Sequence, residues 1–126
     1  MRNFSIATVI CLSTLVCSQP AKADFSLSYT STYQSISTSK DDAYKNPEFR
    51  AYVLRLLEQD KDFPHKAALL FCKSKRLGWS SSQFIKMGYG KLLQRQALEN
   101  WSESKFDAYL KILVTGMSVG TVHYCP

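Results

Sequence analysis

A six-residue pattern occurs twice in this chain, as Trp79-Ser80-Ser81-Ser82-Gln83-Phe84 and, 22 residues later, as Trp101-Ser102-Glu103-Ser104-Lys105-Phe106. The shared form, W-S-x-S-x-F, reads as a helix start. With the first Ser at the N-cap, Trp falls just outside the helix and Phe four residues inside it, the two positions joined by a hydrophobic staple. Gln83 also completes a capping box with Ser80, which Lys105 cannot do for Ser102. The tryptophans with their aromatic partners also admit reading as a ligand platform, but the staple accounts for both without a ligand.

The helix after Ser80 is expected to run from about Ser81 to Leu98, with Phe84, Ile85, Leu92 and Leu93 as its apolar residues. Gly88 and Gly90 weaken it, each costing about 1 kcal/mol relative to Ala in a helix interior. They suit either close contact with a neighbour or a kink around Tyr89. The helix after Ser102 is expected from Glu103 to about Val122. Its stripe of Phe106, Leu110, Leu113, Met117, Gly120 and Tyr124 alternates by four and three, and Gly116 and Gly120 are spaced for close helix approach. Upstream, Asn46-Pro47-Glu48 combines a good N-cap, a proline suited to the first turn and an early carboxylate. Phe49, Tyr52, Val53, Leu56 and Leu57 then lie on one face. Another helix fits Pro64 to Leu77, with Ala68, Phe71 and Cys72 inward; Lys73, Lys75 and Arg76 complement its dipole, and Gly78 stops it. The expected fold is all-α, a small bundle of about four helices over residues 47–126.

The N-terminus has the layout of an export signal. Arg2 precedes an uncharged, largely apolar run from Phe4 to Val16; Pro20 breaks the pattern, and Ala21-Lys22-Ala23 offers small residues for cleavage after Ala23. Thirteen helical residues cover about 20 Å, short of the roughly 30 Å of a bilayer core, so a spanning anchor is not expected and none remains after cleavage. Lipid attachment at Cys17 is disfavoured by the bulky Val16 before it. The expected location is periplasmic, lumenal or extracellular. Residues 24–46 read as a flexible Ser/Thr-rich arm, with nine Ser or Thr among residues 24–39 and few apolar groups to offset ordering. An alternating Phe25, Leu27 and Tyr29 permits a short edge strand instead.

Cleavage removes Cys11 and Cys17. The two remaining cysteines, Cys72 and Cys125, are expected to form a disulfide in an oxidising compartment. Such a link across 53 positions contributes about 4 kcal/mol in the loop-entropy description. Cleavage also removes Arg2 and Lys22, lowering the net charge from +6 to +4. Mild positive charge suits anionic surfaces, but without a basic stripe interleaved with aromatics it does not indicate a nucleic-acid partner.

From about Pro47 onward, the pattern resembles the secreted bacterial family called domain of unknown function 732. The likeness rests on the export signal, a Cys within an early helix followed by a Gly stop (Cys72, Gly78), and a chain end reading Tyr124-Cys125-Pro126. It implies helical packing and the disulfide, and supplies no catalytic residue.

The residues themselves offer little for catalysis. No phosphate loop or nucleophile elbow occurs, His65 and His123 lack metal-ligand spacing, and Asp41-Asp42 and Asp60/Asp62 read as solvated turn carboxylates. Asn100-Trp101-Ser102 is a glycosylation sequon whose Ser is also a helix cap. The expectation is an exported, non-catalytic binding or structural module without a cofactor, its partner an unidentified protein or envelope polymer. The alternative is a carrier of haem or another apolar ligand between helices, with His65, His123 and Tyr124 as candidate contacts.

Overall fold

The structure, a computed structural model, describes residues 20–125, with side chains from Phe25 onward. Arg2, the apolar run Phe4–Val16, Cys11, Cys17 and Pro126 lie outside the described residues. Every regular element among the described residues is helical: α1 (Pro20–Thr38), a 3-10 turn (Asp42–Tyr44), α2 (Pro47–Gln59), α3 (Phe63–Arg76), α4 (Ser81–Glu99), α5 (Glu103–Val119) and a terminal π-helical turn (Gly120–Tyr124). No described helix is long and apolar enough to cross a membrane.

The expected helix starts are present with their caps. Asn46 accepts from the backbone N–H groups of Glu48 and Phe49. Ser80 accepts from Gln83 N while Gln83 returns the bond to Ser80 N, and Ser102 accepts from Lys105 N. The two tryptophans then diverge. Trp79 stays 39% exposed, whereas Trp101 is buried and stacked on Tyr109 at 4.6 Å between ring centroids. Gly78, at φ 89°, closes α3 in the left-handed conformation that suits glycine.

The expectation of a flexible arm over 24–46 is corrected: residues 24–38 belong to α1, which adds a fifth helix. Ser28, Thr32 and Ile36 recur every four residues and are each almost fully buried, while Tyr29 and Tyr33 pack beside the core. Small hydroxyl residues let the helix approach α2, α3 and α5 closely without marking an apolar stripe. Several of the hydroxyls are absorbed locally, as Ser37 and Thr38 donate to carbonyls four residues back. The C-terminal carbonyls of α1 are met by Arg50 from α2. Its guanidinium donates to Ile36 O and Ser37 O at 2.6 and 2.8 Å, then to Ser39 O and Tyr44 O at 2.8 and 3.0 Å. One side chain thus caps α1 and fixes the turn leading into α2.

The most extensive pairing is α3 with α5. It is close because small residues face small residues. A Cβ on Gly116 would lie 3.1–3.2 Å from Pro64 and Ala67, and one on Gly120 would meet Ala68 at the same separations. The expected disulfide closes this seam, joining Cys72 of α3 to Cys125 with their Cα atoms 5.7 Å apart. Phe71, Leu57, Ile112 and Val53 fill the interior beside it.

The two kinds of glycine predict opposite outcomes. Gly116→Val forces side-chain atoms against backbone in a pinned seam and should destabilise the fold by about 2 kcal/mol. Gly90, which faces open space within α4, should gain about 1 kcal/mol as Gly90→Ala. Thermal or denaturant melts of the two variants check the signs.

Candidate functional site

The three contacts expected from sequence separate in space. His65, in the first turn of α3, and Tyr124, in the terminal turn, come together with His65 Nδ1 2.7 Å from the Tyr124 hydroxyl. Ser28 of α1 meets the same hydroxyl through Oγ, and Phe25 packs edge-on to the imidazole. His123 is exposed and does not join them. This cluster ties the N-terminal helix to the C-terminal turn beside the disulfide. Its imidazole contacts a phenol rather than a carboxylate, and Ser28 is fully buried, so its geometry suits fastening. Among the described residues, no group of three or more His, Cys, Asp or Glu side chains is placed to hold a metal ion.

A groove of about 390 Å³ opens instead between α3 and α4, floored by Leu113 of α5. Its origin lies in how α4 is held. Gly88 sits so close to α5 that an added Cβ would fall 2.5 Å from Leu113 Cδ2. Toward α3, by contrast, α4 makes few contacts, one of them Phe84 edge-on to Phe71 at 5.3 Å. The groove walls are Phe63, Ala67 and Leu70 from α3, and Phe84, Met87 and Leu92 from α4. Leu70 is 40% exposed, an apolar side chain left facing the opening.

Asp60, Lys66, Lys91 and Arg95 complete the lining, and of these Asp60 and Arg95 converge on Tyr109. Arg95 is held over the rings of Trp101 and Tyr109, at 4.7 and 5.3 Å from their centroids, and donates to Glu99 at 3.3 Å. Trp101 Nε1 donates to the other Glu99 oxygen at 3.1 Å. The hydrogen bonds from Arg95 and Trp101 hold the Glu99 carboxyl below its ordinary pKa. Lys66 pairs with Asp62 at 3.0 Å, while Lys91 has no ion pair among the described residues.

Asp60 is no solvated turn carboxylate. It is half-buried and accepts from the Tyr109 hydroxyl at 3.1 Å. Burial, reinforced by neighbouring Asp62, raises its pKa; the bonded Lys66 lowers that of Asp62. Burial and the adjacent Asp60 push Tyr109 up to about 12.

Sequence reasoning missed the groove because its walls come from three helices and no single periodic face contains them. Leu93 and Leu98, on α4, remain 44% and 85% exposed, so this helix is not wrapped by the core. Comparison with protein-family models, with curated proteins and with solved structures finds no match. The family resemblance is therefore carried only by the residues that suggested it.

The Asp60 environment sets a pH dependence. Its carboxyl binds a proton more tightly in the folded state than in the unfolded one. Its stabilising contribution is thus fully present below the ordinary carboxylate pKa and is lost as pH rises through the raised value. Asp60→Asn should therefore gain melting temperature relative to the native protein as pH rises through that window. Paired thermal melts across pH test this, and a difference that does not vary with pH would contradict it.

Proposed function

We propose that this protein is an exported, non-catalytic binding module whose binding surface is the groove between α3 and α4. The observation that carries the reading is the groove itself: concave, walled mainly by aliphatic and aromatic side chains, and provided with a few polar groups. That composition is common to sites that hold ligands through apolar burial and orient them with a small number of charges. The volume of about 390 Å³ falls toward the lower part of the roughly 300–1,000 Å³ typical of such pockets.

Several features support binding over catalysis. The two cysteines are joined, Ser28 is buried, and His65 is engaged with Tyr124. Exposed hydroxyls at Ser80 and Ser102 serve as helix caps. Export remains part of the reading because the N-terminal pattern and the disulfide agree on an oxidising compartment. The concavity supports the alternative read from the sequence, a small-ligand carrier, over contact with a flat macromolecular surface. Neither His65 nor His123 lines the groove, so an apolar ligand fits there better than haem held by a histidine.

Native mass spectrometry of the mature protein recovered from its exporting host tests the proposal. The native protein should retain a non-covalent ligand or partner, and Leu70→Glu should lose it. A ligand or partner retained equally by Leu70→Glu would place the binding surface elsewhere.

A further inference from the structure

The geometry points to a single-chain amphiphile with one negative charge as the occupant of the groove, an inference that rests on the binding reading above. The groove is chemically polarised along its length. At one end, Leu70 and Met87 lie near the Phe71–Phe84 contact. At the other, Asp60 and Arg95 converge on Tyr109. Lys66 stands one turn before Leu70 on α3, and Lys91 one turn after Met87 on α4. The antiparallel run of the two helices therefore sets Lys66 and Lys91 on the Asp60–Arg95 side of Leu70 and Met87.

The charges there are unequal in what they already hold. Arg95 is paired with Glu99 and Lys66 with Asp62, whereas Lys91 is unpaired among the described residues. Asp60 is engaged by the Tyr109 hydroxyl, which donates to it at 3.1 Å. The lining itself carries Lys66, Lys91 and Arg95 against the one carboxylate of Asp60, and the lining cation without an ion pair among the described residues, Lys91, is the one an anionic headgroup would meet. Lys91 supplies the charge for it, with Arg95 one turn further along the same helix face.

The apolar end asks for a tail. From Phe84 to Arg95, α4 advances about 16 Å at its ordinary rise, the reach of an extended chain on the order of a dozen carbons. A tail laid along this face would cover Leu70, Met87 and Leu92 and remove from water the apolar wall that the fold leaves open. About 390 Å³ suits one such chain better than the paired chains of a membrane lipid.

Calorimetric titration of the mature protein with dodecanoate, dodecan-1-ol and dodecylammonium, each kept below its aggregation concentration, tests this. Dodecanoate should bind at least about tenfold more tightly than the alcohol or the amine, the difference expected of a charge-selected site. Lys91→Glu, at an exposed helix position that does not endanger folding, should remove that advantage, bringing dodecanoate to or below the affinity of dodecan-1-ol. Leu70→Glu, checked by circular dichroism for intact helicity, should weaken all three. Equal binding of dodecanoate and dodecan-1-ol would overturn the anionic assignment while leaving the groove a binding site. Failure of all three to bind, with a host-derived ligand still lost from Leu70→Glu, would overturn the amphiphile class but not the proposed function. Binding to phosphatidylglycerol vesicles without uptake of monomeric dodecanoate would also overturn it, because the occupant would then be a membrane surface.

Discussion

The close seam between α3 and α5 is the constraint on which the other contacts depend. Gly116 and Gly120 admit the backbone of α3 at Pro64 and Ala68, and Cys72–Cys125 fastens the chain end across the same pairing. Burial at this separation gives dense contact from small side chains. The disulfide adds about 4 kcal/mol in the loop-entropy description, a large share of the roughly 5–15 kcal/mol total stability usual for a domain. It also holds Tyr124 where it meets His65 and Ser28, so one covalent link helps position both termini of the described chain. With α3 and α5 joined so tightly, α4 is left to pack on α5 alone for most of its length. The groove is the space that arrangement leaves.

A second set of contacts gives the groove its polar end. Trp101 stacks on Tyr109, Arg95 lies over both rings, and Glu99 accepts from Arg95 and Trp101 together. These interactions lie at the junction of α4 and α5, where Asn100 adopts φ 56° to turn the chain. Asparagine tolerates that left-handed conformation better than most residues. The turn thereby brings an arginine from one helix over Trp101 and Tyr109 of the next segment, and Tyr109 passes the connection to Asp60 at the C-terminal end of α2. Charge at the groove mouth is thus set by packing. Substitution of Trp101 acts on Arg95 as well as on the core.

Local chemistry made much of the frame legible in the chain. Asn46, Ser80 and Ser102 cap helices because each offers an oxygen just where orphan backbone N–H groups begin. The paired cysteines followed from compartment and count, and Gly116 with Gly120 from spacing. The first helix was not legible because its buried face at Ser28, Thr32 and Ile36 is mostly hydroxyl-bearing. Its C-terminus is capped by Arg50, a tertiary contact without a local signature. The repeat was legible as two helix starts but not as two different tryptophan environments. Trp101 finds Tyr109 within the packed junction, whereas Trp79 sits at the edge of the fold. Of the candidate contacts, His65 and Tyr124 meet, but in a fastening cluster. The groove depends on the placement of α3, α4 and α5 relative to one another, which no one segment specifies.

Binding through the groove requires that α4 be the loosely held wall of an otherwise firm frame. Hydrogen exchange of backbone amides in the native, disulfide-linked protein reports that difference directly, because local openings release amides at lower free energy than global unfolding. The account predicts the slowest exchange in α3 around Ala67–Cys72 and in α5 around Ile112–Gly116. Amides of α4 from Met87 to Leu93 should exchange markedly sooner, and exchange there should slow when the groove is filled. Protection in α4 equal to that of α3 and α5 would contradict the account.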